Sequence, residues 1–330
     1  MLNLKKEFHN IEKIFNYLKI ENIEELGVIT FLNRDSIFVK TSDGSYLVNI
    51  VQLKNKESNY SKNQISKIKS LEFFDKNGVH CLLPMSFNDK HFIDYRNKEY
   101  EIYRFVNTKH LELKDLSEKQ FKKIANSQAI IHNLNVKVNI PCAYQEVKLP
   151  SNRKIAKLEK YSPDGYQLLY KHLYEIEEII NRFNKLVKYA MNSLIIGYDN
   201  YDLNNIEWIK DYMYLVDYNN CTLINPAVSL AEAAYSFSYQ KGEINYDQYK
   251  KYLEIYLKRT GPLTYDYQEA LHVSQGKRLE NLVQVIENSL KAKEDYSPDI
   301  IQLINEILLY ESNIKKMYEI YINIVKEQSN

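Results

Sequence analysis

Leu4, Phe8, Ile11, Ile14, Phe15 and Leu18 recur at i, i+3, i+4 and i+7 spacing, which lays one apolar stripe along a helix over residues 3–20. From Gly27 to Val51 the period shortens to that of a strand. Three β-rich runs, Val28–Phe31, Ser36–Lys40 and Tyr46–Val51, are divided by Asn33-Arg34-Asp35 and Ser42-Asp43-Gly44, the pattern of an antiparallel meander with polar turns. A second helix is predicted from Ser61 to Lys76, ended by Asn77-Gly78, with two further strands near Cys81–Leu83 and Tyr100–Val106. Beyond that the helical period dominates, near residues 116–133, 163–191, 246–258, 277–291 and 297–326, with one β-like island between Ile195 and Val216. The fold class is therefore α+β: a strand-rich part over 1–105 and a mainly helical part over 106–330.

Charge and composition narrow the function classes. Among 330 residues, 44 Lys and Arg oppose 43 Asp and Glu, so the basic excess that drives binding to nucleic acid is missing. Apolar runs such as Leu194-Ile195-Ile196 are far shorter than the roughly 20 residues of a membrane helix. Met1–Glu7 shows no apolar segment before a cleavage site, so synthesis in the cytoplasm without a signal peptide is expected. Cys81, Cys142 and Cys221 are too few and too far apart for a disulfide framework or a zinc site, and the histidines show no ligand spacing. His132, near a helix C-terminus, and Cys221, after a strand, read as packing residues. Of the 29 tyrosines, those in tracts 161–174 and 235–256 suit either an aromatic surface or ordinary helix packing, and packing is the simpler reading.

One constellation carries chemistry. Tyr198-Asp199-Asn200-Tyr201-Asp202-Leu203-Asn204-Asn205-Ile206 is followed by Tyr214-Leu215-Val216-Asp217-Tyr218-Asn219-Asn220-Cys221, and then by Asn225-Pro226-Ala227-Val228-Ser229-Leu230-Ala231. Order and spacing resemble the catalytic loop H-x-D-x-x-x-x-N, the metal strand ending in Asp and the D-P-x-x-D-L-A helix of the aminoglycoside phosphotransferase and choline kinase superfamily. Within that superfamily the chain is most similar to the spore-coat CotS family, whose loop reads H-x-D-Y-x-x-x-N-I and whose metal strand reads Y-I-I-D-F-D-Y-C. Gly44-Ser45-Tyr46-Leu47-Val48-Asn49 resembles that family's G-x-Y-x-L-K strand, Tyr103-Arg104-Phe105-Val106 its hinge, and Ala125–His132 its L-A-x-L-H helix. The resemblance implies a bilobal, protein-kinase-like fold with an N-lobe over 1–105 and a C-lobe over 106–330.

Phosphoryl transfer needs a carboxylate to take the hydroxyl proton, an Asn and an Asp to hold Mg²⁺, and a Lys on the nucleotide's phosphates. In the register fixed by Tyr201 and Asn205-Ile206, the base position is Asn200, an amide that accepts no proton near neutral pH, and the preceding His is Tyr198. The strand position of the Lys is Asn49, with Tyr103 and Phe105 at the hinge of the nucleotide site. Asn205 and Asp217 remain as a weak or vestigial metal pair. The helix Asp positions are Asn225 and Ser229. A register shifted by one residue also satisfies D-x-x-x-x-N, with Asp199 as base, Asn204 as ligand and Gly197 in place of His. Lys40 and Lys54 are possible substitutes for the missing lysine.

Two functions follow. The resemblance with Asn49, Tyr198 and Asn200 replaced implies a catalytically degenerate pseudokinase, a structural or assembly component of a spore coat whose partners are other coat proteins, with no cofactor. The alternative is an active phosphotransferase using ATP and Mg²⁺ on a sugar, choline-like or aminoglycoside hydroxyl through Asp199.

Overall fold

The computed structural model describes residues 4–20, 22–31, 34–52, 58–134, 136 and 139–329. The chain begins α1 (Leu4–Leu18), β1 (Ile23–Phe31), β2 (Arg34–Thr41), β3 (Gly44–Gln52), α2 (Ser58–Lys76), β4 (Ile93–Tyr95) and β5 (Lys98–Arg104). It continues with α3 (Glu118–Leu134), α4 (Asn152–Ile155), α5 (Leu158–Tyr161), α6 (Pro163–Lys171), α7 (Leu173–Ala190), β6 (Ile195–Tyr198), β7 (Ile206–Ile209), β8 (Tyr212–Leu215) and β9 (Cys221–Ile224). It closes with α8 (Pro226–Ser236), β10 (Tyr239–Gln240), β11 (Glu243–Ile244), α9 (Tyr246–Thr260), α10 (Tyr267–Val273), α11 (Gly276–Ala292) and α12 (Ser297–Ser329). Two compact units result: Met1–Leu116 with Leu203–Cys221, and Ser117–Asp202 with Thr222–Asn330.

The first unit is built on an antiparallel five-stranded sheet in the order β1-β2-β3-β5-β4. Alternate residues Ile37 and Val39 of β2, Tyr46 and Val48 of β3 and Tyr100 and Ile102 of β5 point to one face, where the apolar stripe of α1 covers them. Glu7 of α1 is buried in this layer. Burial raises its pKa, but the Lys98 ammonium at 2.6 Å and the hydrogen bonds from Tyr100 and Asn10 outweigh that, leaving it below the usual 4.5. The same unit holds the β7–β8 hairpin with its buried Trp208.

The second unit packs α3 against α9 and wraps the long α12 on α6, α9 and α11. Ile300, Ile304, Ile307, Tyr310, Ile314, Met317, Tyr321 and Ile324 form the buried stripe of α12. Tyrosines fill much of this interior: Tyr252 stacks on Phe237 at 5.4 Å between ring centres, and Tyr267 stacks on Tyr321 at 4.2 Å. Tyr170 and Tyr174, in the other tyrosine tract, are exposed.

Several elements differ from the sequence reading. The helix expected over 163–191 breaks at His172, whose φ of −108° and ψ of 12° interrupt it between α6 and α7. The strand expected at Cys81–Leu83 is a single bridge, in which Leu82 N–H donates to the Leu215 carbonyl at 2.8 Å and Leu215 N–H to that of His80 at 2.9 Å. The hairpins β4–β5 and β10–β11 were hidden because their turns, Arg96-Asn97 and Lys241-Gly242, take positive φ with only one glycine between them.

Candidate functional site

On β3 of the first unit, the Asn49 amide oxygen accepts a hydrogen bond from the Ser36 hydroxyl of β2 at 2.7 Å. The residue expected at the lysine position is therefore a neutral amide tied into the sheet. Directly across the antiparallel ladder from Asn49 lies Glu101, a buried carboxylate that accepts from the hydroxyls of Tyr103, at 3.1 Å, and of Tyr218. Phe105 packs edge-on against Phe38, 5.4 Å between centres, and its N–H bonds the Ser45 carbonyl at 2.8 Å. Lys40 sits in an exposed pair with Glu24 at 3.6 Å, and Lys54 lies outside the described residues.

The metal loop follows β8 in the same unit. Val216 N–H donates to the Asn205 carbonyl at 3.1 Å, extending the Ile206–Leu215 register by one step and placing Asn205 beside the end of β8. Asp217 takes a left-handed φ of 76°, a conformation that short polar side chains tolerate by capping local N–H groups. Its Oδ1 accepts from the backbone N–H of Asn219 at 3.0 Å and from the Asn219 amide at 2.8 Å. The Asn220 amide donates to Asn205 Oδ1 at 3.0 Å, and Lys67 of α2 donates to the Asn219 carbonyl at 2.7 Å. Among the described residues no three His, Cys, Asp or Glu side chains cluster as a metal site. The Cys81 and Cys221 thiols in this unit are pushed well above their usual pKa by burial and are packing groups.

The remaining loop residues belong to the second unit. Tyr198, at the His position, is a fully buried ring edge-on to Tyr201, whose hydroxyl donates to the Ile124 carbonyl at 2.9 Å. Asn200 has a left-handed φ of 52°. Gly197 packs so closely that a Cβ there would come within 2.0 Å of Ile224 Cδ1. A side chain as large as histidine has no room at Gly197.

Asp199, the alternative base, is engaged by an ammonium. Lys277 of α11 approaches its carboxylate to 2.7 Å and that of Glu232 of α8 to 3.2 Å. Burial alone would lower the Lys277 pKa, but the charges of Glu232 and Asp199 outweigh it and hold it above the usual 10.5. Burial raises the carboxyl groups of Glu232 and of Glu280, which lines the same small cavity. The Asp199 carboxylate is thus engaged in an ion pair.

Asn225 and Ser229 have structural partners. Asn225, wholly buried, caps α8 by accepting from the N–H groups of Ala227 at 3.0 Å and Val228 at 3.4 Å, while its own amide donates to Ala190 at 3.1 Å. Ser229 accepts from the Gln128 amide at 3.2 Å, and Gln128 in turn accepts from Tyr252 at 3.0 Å. His132 meets the Tyr256 hydroxyl at 2.6 Å, and burial lowers its pKa to about 3, so the ring is neutral.

Searches of family models and of curated proteins return no match. The structure itself has relatives. Spectinomycin phosphotransferase, solved with ADP and spectinomycin, superposes with a TM-score of 0.58 at 13% identity, over 94% of this chain and 97% of its own. Choline kinase from Cryptosporidium parvum Iowa II gives 0.57 at 12% identity over 96% and 99%, and choline kinase LicA from Streptococcus pneumoniae 0.55 at 14% over 95% and 99%. This is the kinase-like fold of aminoglycoside phosphotransferases and choline kinases. Asn49 lies on β3, and Asp217 lies in the loop between β8 and β9.

Sequence reasoning missed Ser36, Lys67, Asn219, Asn220 and Lys277. Only the Asn219-Asn220 pair had a local signal, two amides where the resembling metal strand reads D-Y after its D-F. Lys67 and Lys277 reach their partners from helices remote in sequence, which no spacing reveals.

Proposed function

We propose that this chain is a kinase-like protein that has lost phosphoryl transfer and acts by binding, as a structural or assembly component resembling the spore-coat CotS family, with other coat proteins as partners. The observation that carries this reading is Asn49 bonded to Ser36 at 2.7 Å. Loss of the phosphate-binding lysine coincides with an amide, Asn200, at the base position, so binding and proton transfer are both impaired. The coat assignment rests on the likeness of the segments around Asn205 and Asp217.

The rival is an active ATP- and Mg²⁺-dependent small-molecule kinase using Asp199, and the kinases among the structural neighbours favour it. Lys277 at 2.7 Å from Asp199 opposes it, because that ion pair engages the carboxylate the reaction would need.

Isothermal titration of ATP, with and without Mg²⁺, into the purified chain tests the reading. The expected result is no metal-dependent binding. Mg²⁺-dependent ATP binding that disappears in Asp217→Asn, accompanied by turnover lost in Asp199→Ala, overturns it. In a sporulating host, a fluorescent fusion should gather at the coat, and diffuse mother-cell fluorescence contradicts that part of the proposal.

A further inference from the structure

Mg²⁺ takes six oxygens at about 2.0–2.1 Å in near-octahedral geometry and gives up water reluctantly, so a protein site must present oxygens whose lone pairs point at the ion. Asp217 and Asn205 have the right elements for this, one charged and one neutral oxygen donor. Their hydrogen bonding does not suit it. Asp217 Oδ1 is met by two N–H donors of Asn219, at 3.0 and 2.8 Å. Asn205 Oδ1 is met by the Asn220 amide at 3.0 Å. A proton directed at an oxygen takes a lone-pair direction that a cation would use, and removing it strands the donor.

The loop is also fixed by a charged group. The Lys67 ammonium of α2 holds the Asn219 carbonyl at 2.7 Å, so the residue that covers Asp217 is itself pinned from a helix more than a hundred residues away. Burial raises the neighbouring Cys221 thiol, while the charges of Lys67 and Asp217 pull it in opposite directions, so ammonium and carboxylate share one neighbourhood. With Asp217 Oδ1 and Asn205 Oδ1 already accepting amide hydrogen bonds, the loop as arranged fits a divalent metal poorly.

We propose that Asn219, pinned by Lys67, and Asn220 form an internal plug of the divalent-metal position: two side-chain amides bond the oxygens that would bind the ion, and the ammonium fixes the loop through the Asn219 carbonyl. The inference rests on the degenerate reading above and deepens it, since it assigns the loss of metal to named residues that the lysine and base substitutions do not involve. It also means that restoring Asn49→Lys and Asn200→Asp leaves the protein without a metal.

The test is a titration of Mn²⁺ into the full chain, with the unbound ion read by electron paramagnetic resonance, which requires neither nucleotide nor turnover. Wild type should bind no Mn²⁺ at Asp217 at millimolar concentration. The double variant Asn219→Ala/Asn220→Ala should gain affinity by about tenfold or more, the scale on which groups around a metal ligand act, and adding Asp217→Asn should abolish the gain. Lys67→Met, which frees Asn219 without touching the loop, should show a smaller gain and decides the matter if the double variant is unfolded by circular dichroism. Wild-type binding that is lost in Asp217→Asn overturns both this inference and the degenerate reading. Silent wild type with silent, folded variants overturns the plug alone.

Discussion

At the scale of single residues, a polar position can persist while its chemistry changes. Asn225, where the resembling motif has a carboxylate, is a buried helix cap, and Tyr198, where that motif has an imidazole, is a core ring. His132 shows the electrostatic side of the same exchange. Its folded pKa of about 3 lies below the ordinary 6.5, so the unfolded chain takes up a proton that the folded chain refuses. Its neutral form contributes stability that is fully present above pH about 6.5 and is lost as pH falls toward 3. Urea unfolding at pH 7 and pH 5 should show wild type losing stability on acidification, and His132→Asn should lose less. An equal loss in both proteins would show that the ring carries no part of it. None of this was visible in the sequence, where His132 stood out only by its place near a helix end; its burial comes from α9, which is remote in the chain.

Elements were legible where one period ran unbroken. The stripe of α1 and the alternation of β2 and β3 are local patterns set by a single covering layer, and they were readable to within a few residues. The breaks were not, because a turn such as Arg96-Asn97 owes its positive φ to the pairing on either side rather than to its own residues. Long-range ties between elements were equally invisible. Lys277 joins α11 to α8 and to the loop after β6 through Glu232 and Asp199. Removing one partner from a buried ion pair leaves the others uncompensated, so Lys277→Met should lower stability by about 3 kcal/mol in chemical denaturation. The double variant Lys277→Met/Asp199→Asn should recover part of that loss. A neutral single variant would mean that the cluster is solvated.

The molecule stores many of its tyrosines as interior groups. Burial pushes the phenols of Tyr249, Tyr252 and Tyr267 well above their usual 10.0, with neighbouring phenols adding to the effect. A raised folded pKa for an acid means stability present below pH about 10 and lost as pH rises beyond it, because only the unfolded chain ionises. Absorbance titration of tyrosinate should therefore show a late class that appears together with loss of near-ultraviolet circular dichroism. A single smooth titration with the dichroism intact would contradict it. The same abundance gave little in the sequence, where a tyrosine-rich tract reads alike whether it faces the core or water.

The first unit closes only with residues 203–221, a segment that follows a long stretch belonging to the second. During synthesis, the five-stranded sheet can emerge and pair early, yet Leu82 and His80 find their backbone partner in Leu215 only after most of α3 through α7 has left the ribosome. The N-terminal half of this protein is thus obliged to wait for its own completion, and a nascent chain stalled before residue 203 holds an open unit that a chaperone would recognise.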